Sequence, residues 1–208
     1  MNIPKISELL EVVNNNKRKG IETFDDMLSE YPYWYRHLTL GPIDTDVADT
    51  INNMICFWNA MDNEAHLAKE DRRPIYLFID SPGGDVMATL TIIDSIKLSV
   101  TPIITVNVGS AYSGGFFVFI NGHKRIAYPH STFLYHEGCT EMGGDANKFQ
   151  NWSDFYKKIL ADLKKITLCN TKITPELYEE KRRDDWWIKA DEAVELGIAD
   201  EITSKFIY

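Results

Sequence analysis

Apolar residues recur along this chain with two different periods. Ile6, Leu9, Leu10 and Val13 stand at helical spacing before the polar stretch 14–20 ends that helix. Thr23 and Asp26 resemble a capping box opening a second short helix, ahead of an aromatic cluster at 31–35. Residues 1–35 therefore read as an N-terminal helical appendage, and residues 36–208 as the main domain. From His37 onward, strand-like and helix-like segments alternate. Residues 37–40 form a short strand broken by Gly41-Pro42. Asp46 is placed to cap a helix over 47–61, whose Val47, Ile51, Met54, Ile55 and Trp58 share one face. Residues 62–73 read as a polar loop. The almost wholly apolar run 75–79 is expected to be a strand covered on both faces. A glycine-rich turn and a helix over 87–98 follow, then a second buried strand over 103–108 and a second glycine-rich loop, 109–115. Beyond a short apolar helix at 116–120 and a turn at 121–124, two strands over 125–128 and 132–136 flank Pro129. Asp145 is placed to cap a long helix to about 168, with Phe149, Trp152, Phe155, Ile159, Leu163 and Ile166 on its apolar face. Thr174-Pro175 opens another helix, and Gly197 closes a last one over 191–196.

Strands that alternate with helices imply parallel pairing through right-handed crossovers, so the fold class is α/β. Composition agrees, since 44% hydrophobic and 25% charged over 208 residues describes an ordinary globular chain and excludes a fibrous or disordered one. The formal net charge of −9 argues against broad binding to nucleic acid or to an anionic membrane, both of which need a positive field. Cys56, Cys139 and Cys169 are far apart and form neither a CxxC site nor an even disulfide framework, which fits a reducing compartment. The first residues lack the apolar core of a signal peptide, and no apolar run is long enough to span a bilayer. A soluble cytoplasmic protein is expected.

Each glycine-rich loop follows a buried strand, where α/β sheets gather their ligands. Such glycines can serve tight turns alone. A phosphate site is disfavoured: Gly109 to Gly114 has the spacing of a P-loop, but Gly115-Phe116 stands where Lys-Ser/Thr belongs, and Asp85 repels an anion. Acyl transfer suits the loops better. Ser113 sits at a sharp strand-to-helix turn beside Gly114 and Gly115, the device of a nucleophile elbow without its G-x-S-x-G pattern. The amides of Gly84 and Gly114 can then converge as an oxyanion hole. A hydroxyl also needs a base. His37, His66, His123 and His130 fall in polar or turn contexts and are expected to be solvated, whereas His136 ends a strand just before Glu137. Zinc is disfavoured, because His136-Glu137 has no second histidine at the HExxH spacing. Asp184 and Asp185 are candidate carboxylates to orient an imidazole, within a charge run that also reads as a solvated surface.

The motifs FIDSPGGDVMATLTIIDSI, VNVGSAYSGGFFVFINGHKRIAYPHSTFLYHEG and RRDDWWIKADEAVELGIADEI, in this order, resemble the proteolytic subunit of the Clp protease. The resemblance runs from Leu40 to about Ile202. It implies a ClpP/crotonase-like spiral of βαβ units with a long handle helix, by which rings stack into a closed chamber. It further implies Ser113 as nucleophile, His136 as general base and Asp185, rather than Asp184, as the orienting acid. Gly84 and Gly114 would supply the oxyanion amides, while backbone at Gly83, Asp85, Val86 and Gly138 would bind substrate as an added strand. The activity implied is serine endopeptidase cleavage of short or unfolded polypeptides inside a homo-oligomer. No cofactor or metal is implied, and an AAA+ unfoldase is a possible partner, with apolar docking pockets near Tyr76 and Phe78. The chain departs from the pattern in having Gly114 in place of Met and Glu137-Gly138 in place of Gln-Pro. Glu137 beside the base would favour imidazolium and raise its pKa. Residues 1–35 do not look like the usual axial loop, as in a divergent paralogue. Three alternatives remain at this level: a non-catalytic subunit of a mixed ring, a crotonase-like acyl-CoA enzyme, and a Ser–Lys peptidase using Lys124 or Lys189.

Overall fold

The computed structural model describes residues 35–138 and 145–207. The chain divides into two compact units, 1–37 and 38–208; of the first, only Tyr35, Arg36 and His37 are described. The appendage expected over 1–35 therefore lies almost wholly outside the described residues.

Two long strands make the centre of the sheet. In β2 (Ile75–Ser81), Ile75, Leu77, Ile79 and Ser81 are fully buried at alternate positions, while Tyr76 and Phe78 on the other face are half-buried. The expectation of a strand covered on both faces is corrected here: only one face of β2 is fully buried within the chain. β3 (Ile103–Tyr112) pairs in parallel with β2, with a register shift between Ile79 and Ser81. It also runs through Gly109–Tyr112, a stretch expected to be loop. Ladder bonding explains this, because β3 forks. Ile104–Asn107 pair with β4 (Lys124–Ala127), and Ser110–Tyr112 pair with β5 (Thr132–Tyr135), both in parallel.

The remaining strands are short. β1 (His37–Leu40) flanks β2 at one edge. β6 (Trp186–Lys189) adds to β5 in antiparallel register, with Tyr135 opposite Trp186 and Thr132 opposite Lys189, and β7 (Glu201–Ile202) adds to β4. The alternation predicted parallel pairing throughout, so β6 is an exception: it follows a helix directly and returns against the end of β5.

Six α-helices are described, besides one short 3-10 turn, Lys69–Asp71. α1 (Thr45–Glu64) is capped by Asp44, whose carboxylate accepts from Val47 N, and not by Asp46, which lies in its first turn. α2 (Val86–Leu98) is capped by Asp85 through Ala88 N. α1 contributes Ile51, Ile55 and Trp58 to the core, and α2 contributes Ile92, Ile93 and Ile96. α3 (Gly114–Phe119) is buried on every side, as expected of a helix with no polar face. α4 (Ala146–Asn170) starts at the expected cap, Asp145. Its apolar stripe divides: Ile159 and Leu163 are buried, whereas Phe149 and Phe155 are exposed. α5 (Pro175–Lys181) and α6 (Ala190–Glu195) complete the set. Among the described residues no helix is long and apolar enough to cross a membrane.

Candidate active site

The sheet brings three strand ends together. Tyr112 pairs with Leu134, so Ser113, one residue beyond β3, emerges beside the end of β5, and its amide donates to Leu134 O at 2.9 Å. His136 follows the last residue of β5. Because β6 runs antiparallel, its first residue meets the last of β5, and one step further the same register sets Asp185 across from His136. Parallel pairing delivers the serine and antiparallel pairing delivers the acid.

Ser113 has φ 52° and ψ −117°, a left-handed conformation disfavoured for a residue with a side chain. It stands at the N-cap position of α3, yet its hydroxyl makes no cap hydrogen bond. Gly83 explains why the neighbouring loop must lack a side chain: a Cβ there would lie 2.7 Å from Ser113 Cβ. Ser81 holds that loop, donating its hydroxyl to Gly41 O and accepting from Gly83 N at 3.1 Å. Ile43 clamps its other side, with its amide on Gly83 O and its carbonyl accepting from Asp85 N, both at 2.9 Å.

These bonds sort the loop's backbone. The N–H groups of Gly83 and Asp85 are engaged within the protein, whereas those of Gly84 and of Gly114, the first residue of α3, have no hydrogen-bond partner among the described residues. Gly84 N lies 3.5 Å from where a Cβ on Gly114 would stand. Two amides without a hydrogen-bond partner among the described residues therefore lie close together beside Ser113.

A cavity of about 340 Å³ collects the rest. Gly84, Asp85, Val86, Ser113, Gly114, His136 and Gly138 all line it. Thr89, Phe117, Trp152, Tyr156 and Leu163 line it too. Of these, Trp152 and Leu163 were legible only as an apolar helix face, and Tyr156, Phe117 and Thr89 carried no separate signal. Asp185 does not line the cavity. Its Oδ1 stands 4.0 Å from His136 Nδ1, within ion-pair reach and beyond a hydrogen bond, and its side chain is 63% exposed. Among the described residues no hydrogen bond joins Ser113 Oγ to His136. Residues 139–144, beyond Gly138, lie outside the described residues.

Other expectations divide. Glu137 turns its carboxylate to Arg182, which donates to both oxygens at 2.8 and 3.1 Å, so its charge is compensated there. His66 and His130 are exposed, but His37 is buried, and His123 Nδ1 accepts from Ile103 N at 2.9 Å. Partial burial of the ring holds the His123 pKa below its ordinary value, aided by nearby Lys69. His37 corrects the expectation that it is solvated, whereas His123 stays exposed as expected while its ring accepts that one backbone bond. Lys124 pairs with Glu201 at 2.8 Å, and Lys189 lines a different cavity with Pro129, Thr132 and Asp191, so neither stands on the wall around Ser113.

Comparison with known proteins places the chain in a family. A family model described as Clp protease matches residues 27–206. The chain is 33% identical over 185 residues to the ATP-dependent Clp protease proteolytic subunit 2 of Tropheryma whipplei (strain Twist), covering 88% of this chain and 96% of that protein. It is 30% identical over 186 residues to the ATP-dependent Clp protease proteolytic subunit 3 of Rhodococcus jostii (strain RHA1), covering 88% of each. It is 31% identical over 186 residues to the subunit 2 protein of Corynebacterium glutamicum, covering 88% of this chain and 86% of that protein.

Proposed function

The chain belongs to the Clp protease family, and we propose that it is a serine endopeptidase acting through Ser113, His136 and Asp185 on short or unfolded polypeptides. The observation that carries this reading is one wall of one cavity. On it stand a serine at a strained strand-to-helix turn, a histidine at the end of the adjoining strand, and two unengaged amides.

The chemistry follows from their placement. With Nδ1 of His136 turned toward Asp185, Nε2 is left to take the proton from Ser113 Oγ as it attacks the scissile carbonyl carbon. The carbonyl oxygen gains the charge, and the N–H groups of Gly84 and Gly114 donate to it. Each such donor is worth about 3 kcal/mol in the transition state. His136 then returns the proton to the leaving amine. Water, deprotonated by the same imidazole, releases the acyl group from Ser113. The aromatic side of the cavity, Phe117, Trp152 and Tyr156, would receive a substrate side chain, and the backbone near Val86 and Gly138 would hold the peptide as an extended strand. The relatives are named as ATP-dependent proteolytic subunits, and we extend to this chain assembly into stacked rings through α4 and service by an AAA+ unfoldase.

A non-catalytic subunit is the second reading, favoured by the 4.0 Å between His136 and Asp185. Digestion of an unstructured protein substrate separates the two. Purified wild type is expected to cleave it, and Ser113→Ala to leave it intact. Assembled wild type that cleaves no better than the Ser113→Ala variant would favour the non-catalytic subunit.

A further inference from the structure

Base and acid stand close here without a bond between them, and the β5–β6 ladder that sets their register ends one residue short of both. Side chains alternate along an extended strand, so Tyr135 and Glu137 share one side while His136 points to the other. The first side faces α5. Tyr135 donates its hydroxyl to Tyr178 OH at 2.8 Å, and Arg182 Nη1 donates to both oxygens of Glu137. Tyr178 and Arg182 are one helical turn apart, and Arg182 N closes that turn on Tyr178 O at 2.9 Å. The last turn of α5 is thus fastened to the end of β5 at two points.

Asp185 comes three residues after the second of these points. Its carboxylate accepts no hydrogen bond among the described residues, so its position follows from the backbone on either side: Trp186, paired with Tyr135, after it, and the turn before it, where Asp184 N donates to Lys181 O at 3.1 Å. Arg182 is held in turn: its Nε donates to Glu179 at 2.6 Å, and Glu179 pairs with Lys164 of α4, the helix that supplies Trp152, Tyr156 and Leu163 to the cavity. The Arg182 and Glu137 side chains are only 27% and 25% exposed, so a two-pronged, charge-assisted pair between them is less screened than a surface bridge.

We propose that Arg182 is a positioning residue: by clasping Glu137 it fixes the turn carrying Asp185 against the strand end carrying His136, and so sets how the acid steers the imidazole. The inference rests on the proposed peptidase function and deepens it. Glu137, a departure from the Gln-Pro of the resemblance, gains a role in the same clasp.

Steady-state hydrolysis of a fluorogenic peptide by the assembled protein tests this, alongside thermal melts and particle mass. Arg182→Met is expected to lower kcat about tenfold while KM stays within about twofold, because misplacement of the base costs chemistry and not binding. Arg182→Lys, which keeps the charge and one bond, is expected to recover kcat to within about threefold of wild type. Should Arg182→Met fail to assemble, Glu137→Leu takes its place with the same expectation. Wild-type kcat in the assembled variant, or a loss carried by KM alone, overturns the clasp while leaving the peptidase reading intact. A wild type that hydrolyses nothing overturns that reading and the clasp with it.

Discussion

Ser113 is the one functional residue of the described site held at positive φ that is not glycine. Such a conformation costs about 1–3 kcal/mol and persists only where the surroundings over-determine it. They do so here. Phe116 and Phe119, fully buried in the helix that Ser113 caps, each contribute about 2–3 kcal/mol of burial, enough to hold the turn. Replacing the serine separates strain from chemistry. Ser113→Gly and Ser113→Ala are both expected to be inactive, but the glycine variant should unfold about 1 kcal/mol later in urea than the alanine variant. Equal midpoints would mean that the turn stores no strain. Much of this residue pattern is legible in the sequence, because two glycine-rich loops after apolar strands stand out and only Ser113 is followed directly by a glycine pair and an apolar helix. The choice of Asp185 over Asp184 was not legible from periodicity. It depends on the register of β6 on β5, a tertiary pairing buried in a run of charges.

At the scale of elements, the sequence placed most segments and missed those that tertiary pairing creates. Trp186–Lys189 is four residues long and has no alternation to announce it; β5 recruits it. Gly109–Tyr112 looks like a loop and becomes strand because β5 offers it a second partner. The start of α1 shows how local the ambiguity can be, since two aspartates stand two residues apart and only one reaches an orphan amide. Asp44→Ala is expected to cost about 1 kcal/mol in denaturant unfolding, and Asp46→Ala less than about 0.5 kcal/mol. The reverse order would refute the cap.

Arg125 joins elements across the other end of the sheet. It reaches from β4 to the Asn170 and Gly197 carbonyls at the ends of α4 and α6, and pairs with Asp200. Burial pushes the Asp200 carboxyl up, but hydrogen bonds from the Arg125 side chain and amide outweigh it and hold the pKa below its ordinary value. A depressed folded pKa adds stability that is present above the unfolded value and lost as pH falls through the folded one. Urea midpoints should therefore fall as pH drops below about 4, and the gap between wild type and Arg125→Met should narrow over the same window. A gap that does not change between pH 6 and pH 3 would contradict the pairing.

At the scale of the whole molecule, family membership and site geometry each support the proposed chemistry. The strand forks place a serine and a histidine side by side, and an antiparallel return adds an acid. The exposed aromatics Phe149 and Phe155 on α4 fit the assembly proposed through that helix. A loose 4.0 Å separation between His136 and Asp185 likewise suits a site that tightens when substrate or neighbouring subunits close on it. Intact-mass analysis of the assembled protein after exposure to a fluorophosphonate tests the central claim most directly. The account predicts one phosphonyl adduct per chain, mapped to Ser113, absent from Ser113→Ala and strongly slowed in His136→Ala. Assembled wild type that stays unlabelled, or that is labelled at another residue, would contradict it.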